Sequence, residues 1–233
     1  MVRGLPSLCA VCRGWGRQRV CVACVDRFAN GVERCRRCGL EVPAGIETCG
    51  ACIVAPPPYR GTVAAVTYGY PWDRLVAAFK FHDALDLAPA FAGLMLTAHR
   101  ARTDHVPSLL LPVPLSAQRL QERGYNQAWE LARRLGPALD CATDANLLVR
   151  VRDTPHQLAF PPDRRAANVR SAFAVNPRGA AALRGQAVTV VDDVMTTGAT
   201  GAEVARVLLN AGAATVDLWI VARTPRPDAA RDV

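Results

Sequence analysis

Beyond residue 61 the apolar positions fall into two rhythms that alternate along the chain. Short apolar runs stand at 62–70, 109–111, 188–191 and 215–221, the pattern of strands buried on both faces of a parallel sheet. Between them, apolar residues recur at three- and four-residue spacing. They do so at Leu75, Val76 and Phe79, across 84–100 and 128–135, and at Ala202, Val204, Ala205, Val207, Leu208 and Leu209. Strand and helix signals in alternation predict an α/β domain on a parallel sheet, over 62–224. The punctuation agrees. Pro71 opens a helix, Pro112-Val113-Pro114 stops a strand, Ser116 suits a helix N-cap, and Gly212 suits a helix C-terminus. The stretch 149–170 has neither rhythm and reads as a long basic loop, a lid beside a binding site. Residues 225–233 read as a flexible tail.

The first 55 residues lack both rhythms and carry eight of the nine cysteines instead. These form four CxxC pairs: Cys9/Cys12, Cys21/Cys24, Cys35/Cys38 and Cys49/Cys52. Each pair can present two thiolates to one tetrahedral ion, so the eight make two sites of four. The segment is too polar and Gly-rich to fold on a core of its own, and structural zinc would supply the missing stability. Disulfides need an oxidising compartment, and the start of the chain shows no secretory signal. Grouping the first four and the last four cysteines is the simpler arrangement, with a crossed one as the alternative. Pro56-Pro57-Pro58 then makes a stiff linker over 56–61.

The densest chemistry lies in Val188-Thr189-Val190-Val191-Asp192-Asp193-Val194-Met195-Thr196-Thr197-Gly198-Ala199-Thr200. β-Branched residues run into two adjacent carboxylates where the strand would end, then into a small, hydroxyl-rich turn that opens a helix. Backbone N–H groups at a helix N-terminus attract an anion, and Gly198 lets the backbone approach closely. The carboxylates repel a phosphate, so they suit sugar hydroxyls or a hydrated Mg²⁺. A ligand with a phosphate at one end and a diol at the other is a ribose 5-phosphate.

Charge and composition sharpen this. The formal charge of +8 favours an anionic partner. Of the 28 basic residues only Lys80 is lysine, so the scattered arginines are partly compositional background and Lys80 stands out. Held between Phe79 and Phe81, it could reach a phosphate or pyrophosphate. Arg13, Arg17 and Arg19 follow the first knuckle, and Arg34, Arg36 and Arg37 surround the third. Either set could touch nucleic acid or form a solvated rim. No apolar run approaches the roughly 18 residues that cross a membrane, and a cytoplasmic location is expected.

The thirteen-residue stretch resembles the phosphoribosyl pyrophosphate (PRPP) loop of type I phosphoribosyltransferases. The whole chain resembles the ComF family, also called ComFC- or GntX-like. The features that carry this are the four CxxC pairs, the Pro-rich linker, Leu111-Pro112-Val113-Pro114, Arg123-Gly124-Tyr125-Asn126-Gln127, the Arg/Gln/Asn loop and the signature itself. The resemblance implies a double zinc ribbon on a type I phosphoribosyltransferase fold. It implies PRPP binding by Val191, Asp192, Asp193, Thr196, Thr197, Gly198, Ala199 and Thr200. The pyrophosphate would meet Val113, Pro114, Arg123, Asn126, Gln127 and Arg165, with Lys80 and the two aspartates in the catalytic roles. Mg²⁺ would accompany PRPP. Single-stranded DNA, and competence or DNA-repair proteins, are the implied partners.

Two features set this chain apart. A glutamine amidotransferase needs a glutaminase domain with an N-terminal Cys, whereas this chain begins Met1-Val2 and has no room for one. Purine-type relatives carry a carboxylate where Thr196 stands. Two readings follow: a phosphoribosyltransferase acting on an acceptor that needs no such carboxylate, or a non-catalytic single-stranded nucleic-acid-binding protein that uses PRPP as a ligand. In the second, Trp15, Phe28 or Tyr125 could stack on bases.

Overall fold

A computed structural model of the 233-residue chain describes residues 6–29, 31–102, 106–152 and 171–226. The Cys-rich module comes first. Strands β1 (Ser7–Leu8) and β2 (Trp15–Gly16) pair antiparallel ahead of helix α1 (Val22–Phe28), and α2 (Gly50–Val54) closes the module. Both helices begin directly after a knuckle cysteine, Cys21 or Cys49, in extended conformation.

The α/β domain follows as β3 (Gly61–Thr67), α3 (Trp72–Phe81), a 3₁₀ turn at Leu85–Leu87, α4 (Ala88–Arg102), β4 (Leu109–Pro112), α5 (Ala117–Arg123) and α6 (Gln127–Leu139). Then come β5 (Ala142–Thr143), β6 (Leu148–Arg150), β7 (Phe173–Val175), β8 (Ala187–Met195), α7 (Ala199–Asn210) and β9 (Thr215–Arg223). Five strands form one parallel sheet in the order β3-β9-β8-β4-β5. The expected parallel α/β architecture is therefore what the chain adopts.

Alternation along the strands sorts the core into two layers. Val191, Trp219 and Val221 face α3, α4 and α6, where Phe79, Phe91, Met95, Leu131 and Leu135 are buried. Val190, Leu218 and Ile220 face α7, against Val204 and Leu208. Burying each such side chain contributes about 1.5–3 kcal/mol. At Gly201 the helix comes close enough to the sheet that a Cβ would lie 2.3 Å from Leu218 Cδ1.

Several expectations are corrected. The stretch 84–100 opens as a 3₁₀ turn before its α-helix, and the 128–135 helix runs from Gln127 to Leu139. Val149 and Arg150 are not loop; they pair antiparallel with β7. Most of the proposed lid, 153–170, including Arg165, lies outside the described residues, as does the tail beyond 226. The Asp192-Asp193 pair does not follow the end of its strand. β8 continues to Met195, because its pairing with β9 persists to Met195↔Arg223 after β4 has stopped at Pro112↔Val191.

The arginines around the third knuckle also read differently in three dimensions. Arg34 donates to Gly39 O and Thr67 Oγ1, Arg37 donates to Arg60 O, and Arg36 pairs with Glu47 at 2.8 Å. With Thr62 N and Oγ1 donating to Arg36 O and Arg37 O, the module is fastened to the start of β3, and through Arg34 to its end at Thr67.

Candidate functional site

The carboxyl ends of β3, β4, β8 and β9 form one rim, and the candidate site opens there, as ligand sites in α/β sheets do. Because Pro112 ends β4 opposite Val191, the β4-facing edge of β8 is unpaired from Asp192 onward. The two carboxylates project from that overhang to opposite faces of the strand. Asp193 is buried, and its Oδ1 lies 2.9 Å from Lys80 Nζ at the end of α3. Asp192 opens on a cleft and accepts the Asp193 N–H at 2.9 Å.

The cleft has a volume of about 330 Å³. Its walls bring together Lys80, Val113, Pro114, Arg123, Asn126, Gln127, Asp192, Asp193, Thr196 and Thr200, residues drawn from six segments of the chain. Arg119, Arg150 and Tyr68 share the wall. Beneath it, Gly198, Ala199 and Thr200 line a smaller recess at the start of α7, together with Asp192 and Thr196. Gly198 caps that helix at φ 83°, and a Cβ there would sit 2.6 Å from Met195 Cε and 3.2 Å from the Tyr59 hydroxyl. Only glycine fits such a turn without strain.

The remaining predicted residues separate. Val191 is fully buried in the sheet, its carbonyl accepting from Val113 N, and it lines neither space. Thr197 is exposed, and its hydroxyl accepts from Ala199 N at 3.4 Å. Asn126 lines the cleft, yet both ends of its amide are occupied. Oδ1 caps α6 by accepting from Ala128 N and Trp129 N, and Nδ2 donates to Val113 O at 3.0 Å. It therefore holds the Pro-Val-Pro turn against α6. Gln127 is the more available amide: it is 2% exposed, lines the cleft, and its Nε2 has no hydrogen-bond partner among the described residues. Ser116 caps α5 as expected, accepting from Arg119 N.

Three contacts at the site were not legible in the sequence. The Tyr125 hydroxyl donates to Phe79 O and so fixes the end of α3 that carries Lys80. Arg123 stacks over the Phe81 ring at 5.1 Å. Arg223, 4% exposed, gathers the carbonyls of Met195 and Thr196 at the base of the turn. A buried arginine at a strand end has no distinguishing local pattern.

Electrostatically the site is a mixed one. Burial works against the charge on Lys80, but the Asp193 carboxylate, with Asp192 behind it, outweighs this and holds its pKa above the ordinary lysine range. Burial and the adjacent Asp193 push Asp192 up to about 7, against the pull of Lys80. Burial draws Arg123 down, while Asp193 favours its charged form. An acidic floor thus faces a basic wall, which suits a ligand that offers hydroxyls to one side and phosphates to the other.

The cysteines form a second and a third centre. Cys9, Cys12, Cys21 and Cys24 converge, as do Cys35, Cys38, Cys49 and Cys52, with the ligand atoms of each set within 4.8 Å of one another. The grouping is sequential, not crossed. Separations of 3.8 Å for Cys9–Cys24 and 3.7 Å for Cys12–Cys21 and Cys38–Cys49 match the edge of a tetrahedron with bonds of about 2.3 Å, roughly 3.8 Å, as zinc requires. Backbone N–H groups of Cys21 and Cys49 point at Cys9 Sγ and Cys35 Sγ. The second set is wholly buried; in the first, Cys12 is exposed. Cys141 is half-buried against the core, and burial raises its thiol pKa. Among the described residues no helix is long and apolar enough to cross a membrane.

No protein-family model matches the chain. It is 35% identical over 230 residues to the DNA utilization protein YhgH of Salmonella typhimurium, covering 94% of this chain and 98% of that protein. It is 33% identical over 227 residues to the protein of that name from Escherichia coli K12, with the same coverage. With competence protein F of Haemophilus influenzae it shares 31% identity over 224 residues, covering 92% and 96%. Among solved structures it aligns with the allosteric regulatory enzyme of purine biosynthesis at 20% identity and TM-score 0.35, over 57% of this chain and 25% of that one. The glutamine PRPP amidotransferase from B. subtilis aligns at 17% identity and TM-score 0.41, over 62% and 30%.

Proposed function

The chain belongs to the ComF family, whose members include DNA utilization protein YhgH and competence protein F, and from that premise we propose that it binds Mg-PRPP in the rim cleft and transfers the phosphoribosyl group to an acceptor. The observation that supports this best is the convergence, in one cleft, of the Asp192-Asp193 floor, Thr196 and Thr200 from the two ends of the turn, and the basic wall of Lys80 and Arg123, with the rest of the turn lining an adjoining recess.

In this reading the 5-phosphate sits on the backbone N–H groups of the turn, where Gly198 permits close approach. Asp192 receives the ribose hydroxyls. Asp193 acts through Lys80, holding the ammonium toward the pyrophosphate. Gln127 offers its unpartnered amide to the same end of the ligand. Magnesium, bound with PRPP, would neutralise pyrophosphate charge; the oxygen donors at hand are hard, as it prefers. On transfer the bond from C1 to the pyrophosphate oxygen breaks, pyrophosphate leaves with the electron pair, and the acceptor forms the new bond to C1. Positive charge developing on the ribose is stabilised by the carboxylates nearby. In the Cys-rich module the two four-cysteine sites hold zinc and replace the core the module lacks.

Titration calorimetry tests the binding step. Asp192→Ala/Asp193→Ala should abolish PRPP binding that the wild type shows. Equal affinity in the two proteins would remove the site assignment. Transfer is tested by pyrophosphate release from PRPP across candidate acceptors, with and without single-stranded DNA.

A second reading has its own observation. Trp15 is 78% exposed on the β1–β2 hairpin, flanked by the exposed Arg13 and Arg17. An exposed indole between guanidiniums is a stacking platform for an unpaired base. Here the protein binds single-stranded nucleic acid through its first knuckle. Trp15→Ala should then weaken oligonucleotide binding, and that binding should fall steeply with salt. No binding at low salt would end this reading.

A further inference from the structure

One side chain bridges the second cysteine site and the phosphate turn. Arg223 closes β9, the strand between β3 and β8. Its Nε donates to Cys38 O at 2.9 Å. Its Nη1 donates to Met195 O at 3.0 Å, to Thr196 O, and to Thr224 O at 3.0 Å. Cys38 is one of the four cysteines of the second cluster, and Thr196 opens the turn. Tyr59 makes a parallel contact: it is 2% exposed, and its hydroxyl approaches the position a Cβ would take at Gly198.

We propose that Arg223 is a positioning residue for the phosphate turn, and that through it metal occupancy at Cys35/Cys38/Cys49/Cys52 is linked to anion binding at Thr196–Thr200. This rests on the binding reading given above.

Two physical arguments lead there. The first is geometric. In a trans peptide the carbonyl and the following N–H point in opposite directions. Drawing the Met195 and Thr196 carbonyls onto one guanidinium therefore turns the N–H groups of Thr196 and Thr197 away from it. Carbonyl oxygens that would repel a phosphate are gathered on the far side of the turn. Nη1 takes the turn carbonyls while Nε reaches Cys38 O, and a single ammonium nitrogen cannot span both places at once.

The second argument is one of charge. Among the described residues the hydrogen-bond acceptors of Arg223 are carbonyl or hydroxyl oxygens, with no carboxylate among them. A cation only 4% exposed needs an anionic neighbour. Four thiolates around one zinc ion carry a net charge of −2, and this cluster lies directly behind the guanidinium. Without the metal nothing holds the four sulfurs together, and the guanidinium loses the anionic cluster it faces. It is then driven to seek water, and the turn it braces loosens with it. Among the described residues the first cluster has no such connection: it packs against α3, with Trp72 Nε1 donating to Phe28 O.

The test uses the full-length, zinc-loaded protein and its Arg223→Lys, Arg223→Met and Cys52→Ser variants. Zinc release to a chromogenic chelator and PRPP affinity by calorimetry are measured on each. Arg223→Met should release one of two zinc ions about tenfold faster and bind PRPP about tenfold more weakly, a coupling of ordinary size for linked sites. Arg223→Lys keeps the charge but not the fork, so it should retain zinc better than it retains PRPP affinity. Cys52→Ser leaves Arg223 untouched and should also weaken PRPP. By reciprocity PRPP should tighten equilibrium zinc binding, read by competition with the chelator, in the wild type and not in Arg223→Met. Wild-type zinc release in Arg223→Met overturns the proposal, as does wild-type PRPP affinity in either Arg223→Met or Cys52→Ser. If Arg223→Met does not fold, the Arg223→Lys and Cys52→Ser results decide. Failure of the wild type to bind PRPP would remove the binding reading and with it the linkage. The release rates would still show whether Arg223 supports the cluster.

Discussion

Replacing Asp192 by Asn should make the unliganded protein more stable and its ligand binding weaker. The perturbation is nearly isosteric: Asn Oδ1 can still accept the Asp193 N–H that Asp192 accepts at 2.9 Å. What it removes is a charge held beside another charge. Burial and Asp193 move the Asp192 pKa from an ordinary 3.8 to about 7. At about 1.36 kcal/mol per pH unit this corresponds to a ceiling of about 4 kcal/mol. Asp192 opens on the cleft, so water screens it, and about 1–2 kcal/mol is the expected cost. The sign follows from linkage. A carboxyl whose folded pKa is raised is neutral in both states below the unfolded value and costs nothing there. Between pH 4 and 7 the unfolded chain ionises first, and stability drains from the native state. The Asn variant has no such loss. Its advantage should therefore be small near pH 5, grow toward pH 7 and stay flat above. At about 2–4 °C per kcal/mol for a chain of this size, the gain at pH 8 is roughly 2–8 °C in Tm. Thermal unfolding of both proteins from pH 5 to 8, zinc-loaded and without ligand, measures it. PRPP affinity should fall by about tenfold or more in the same variant, and the wild type alone should lose affinity as pH drops below 7. A Tm difference that does not change with pH, or an Asn variant less stable at pH 8, would refute the reasoning.

Three further outcomes are expected. Gly198→Ala puts a Cβ into Met195 Cε at a backbone angle that only glycine adopts easily; stability should fall by about 1–2 kcal/mol in urea denaturation, and PRPP affinity with it. Lys80→Met strips Asp193 of its partner; breaking a buried pair costs about 3–5 kcal/mol, and the partial exposure of Lys80 brings the expectation to about 2–3 kcal/mol by denaturant unfolding at pH 8. Metal analysis should find two zinc ions per chain, and a strong chelator should lower the Tm, since the cysteine module buries little else.

The local layers of this protein were legible in its sequence because they depend on spacing. CxxC pairs impose knuckles, so both cysteine clusters could be anticipated, and the alternation of apolar runs with helical spacing announced a parallel α/β sheet. Gly198 and Ser116 stood out because a turn and a cap demand particular residues. Assembly needed the third dimension. Asp192 and Asp193 are neighbours in sequence, yet the pleat sends them to opposite faces. Asp193 meets Lys80 at a distance of 113 positions along the chain, while Asp192 lines both the cleft and the recess beside it. Asn126 reads as a ligand residue by type, but a cap and a carbonyl occupy it. Arg223 reads as nothing in particular, because its partners come from residues 38, 195 and 196, and no local pattern encodes a contact made across a sheet. Short-range chemistry is written in spacing. Long-range pairing, burial and the charge balance that follows from them exist only once the strands have found their register.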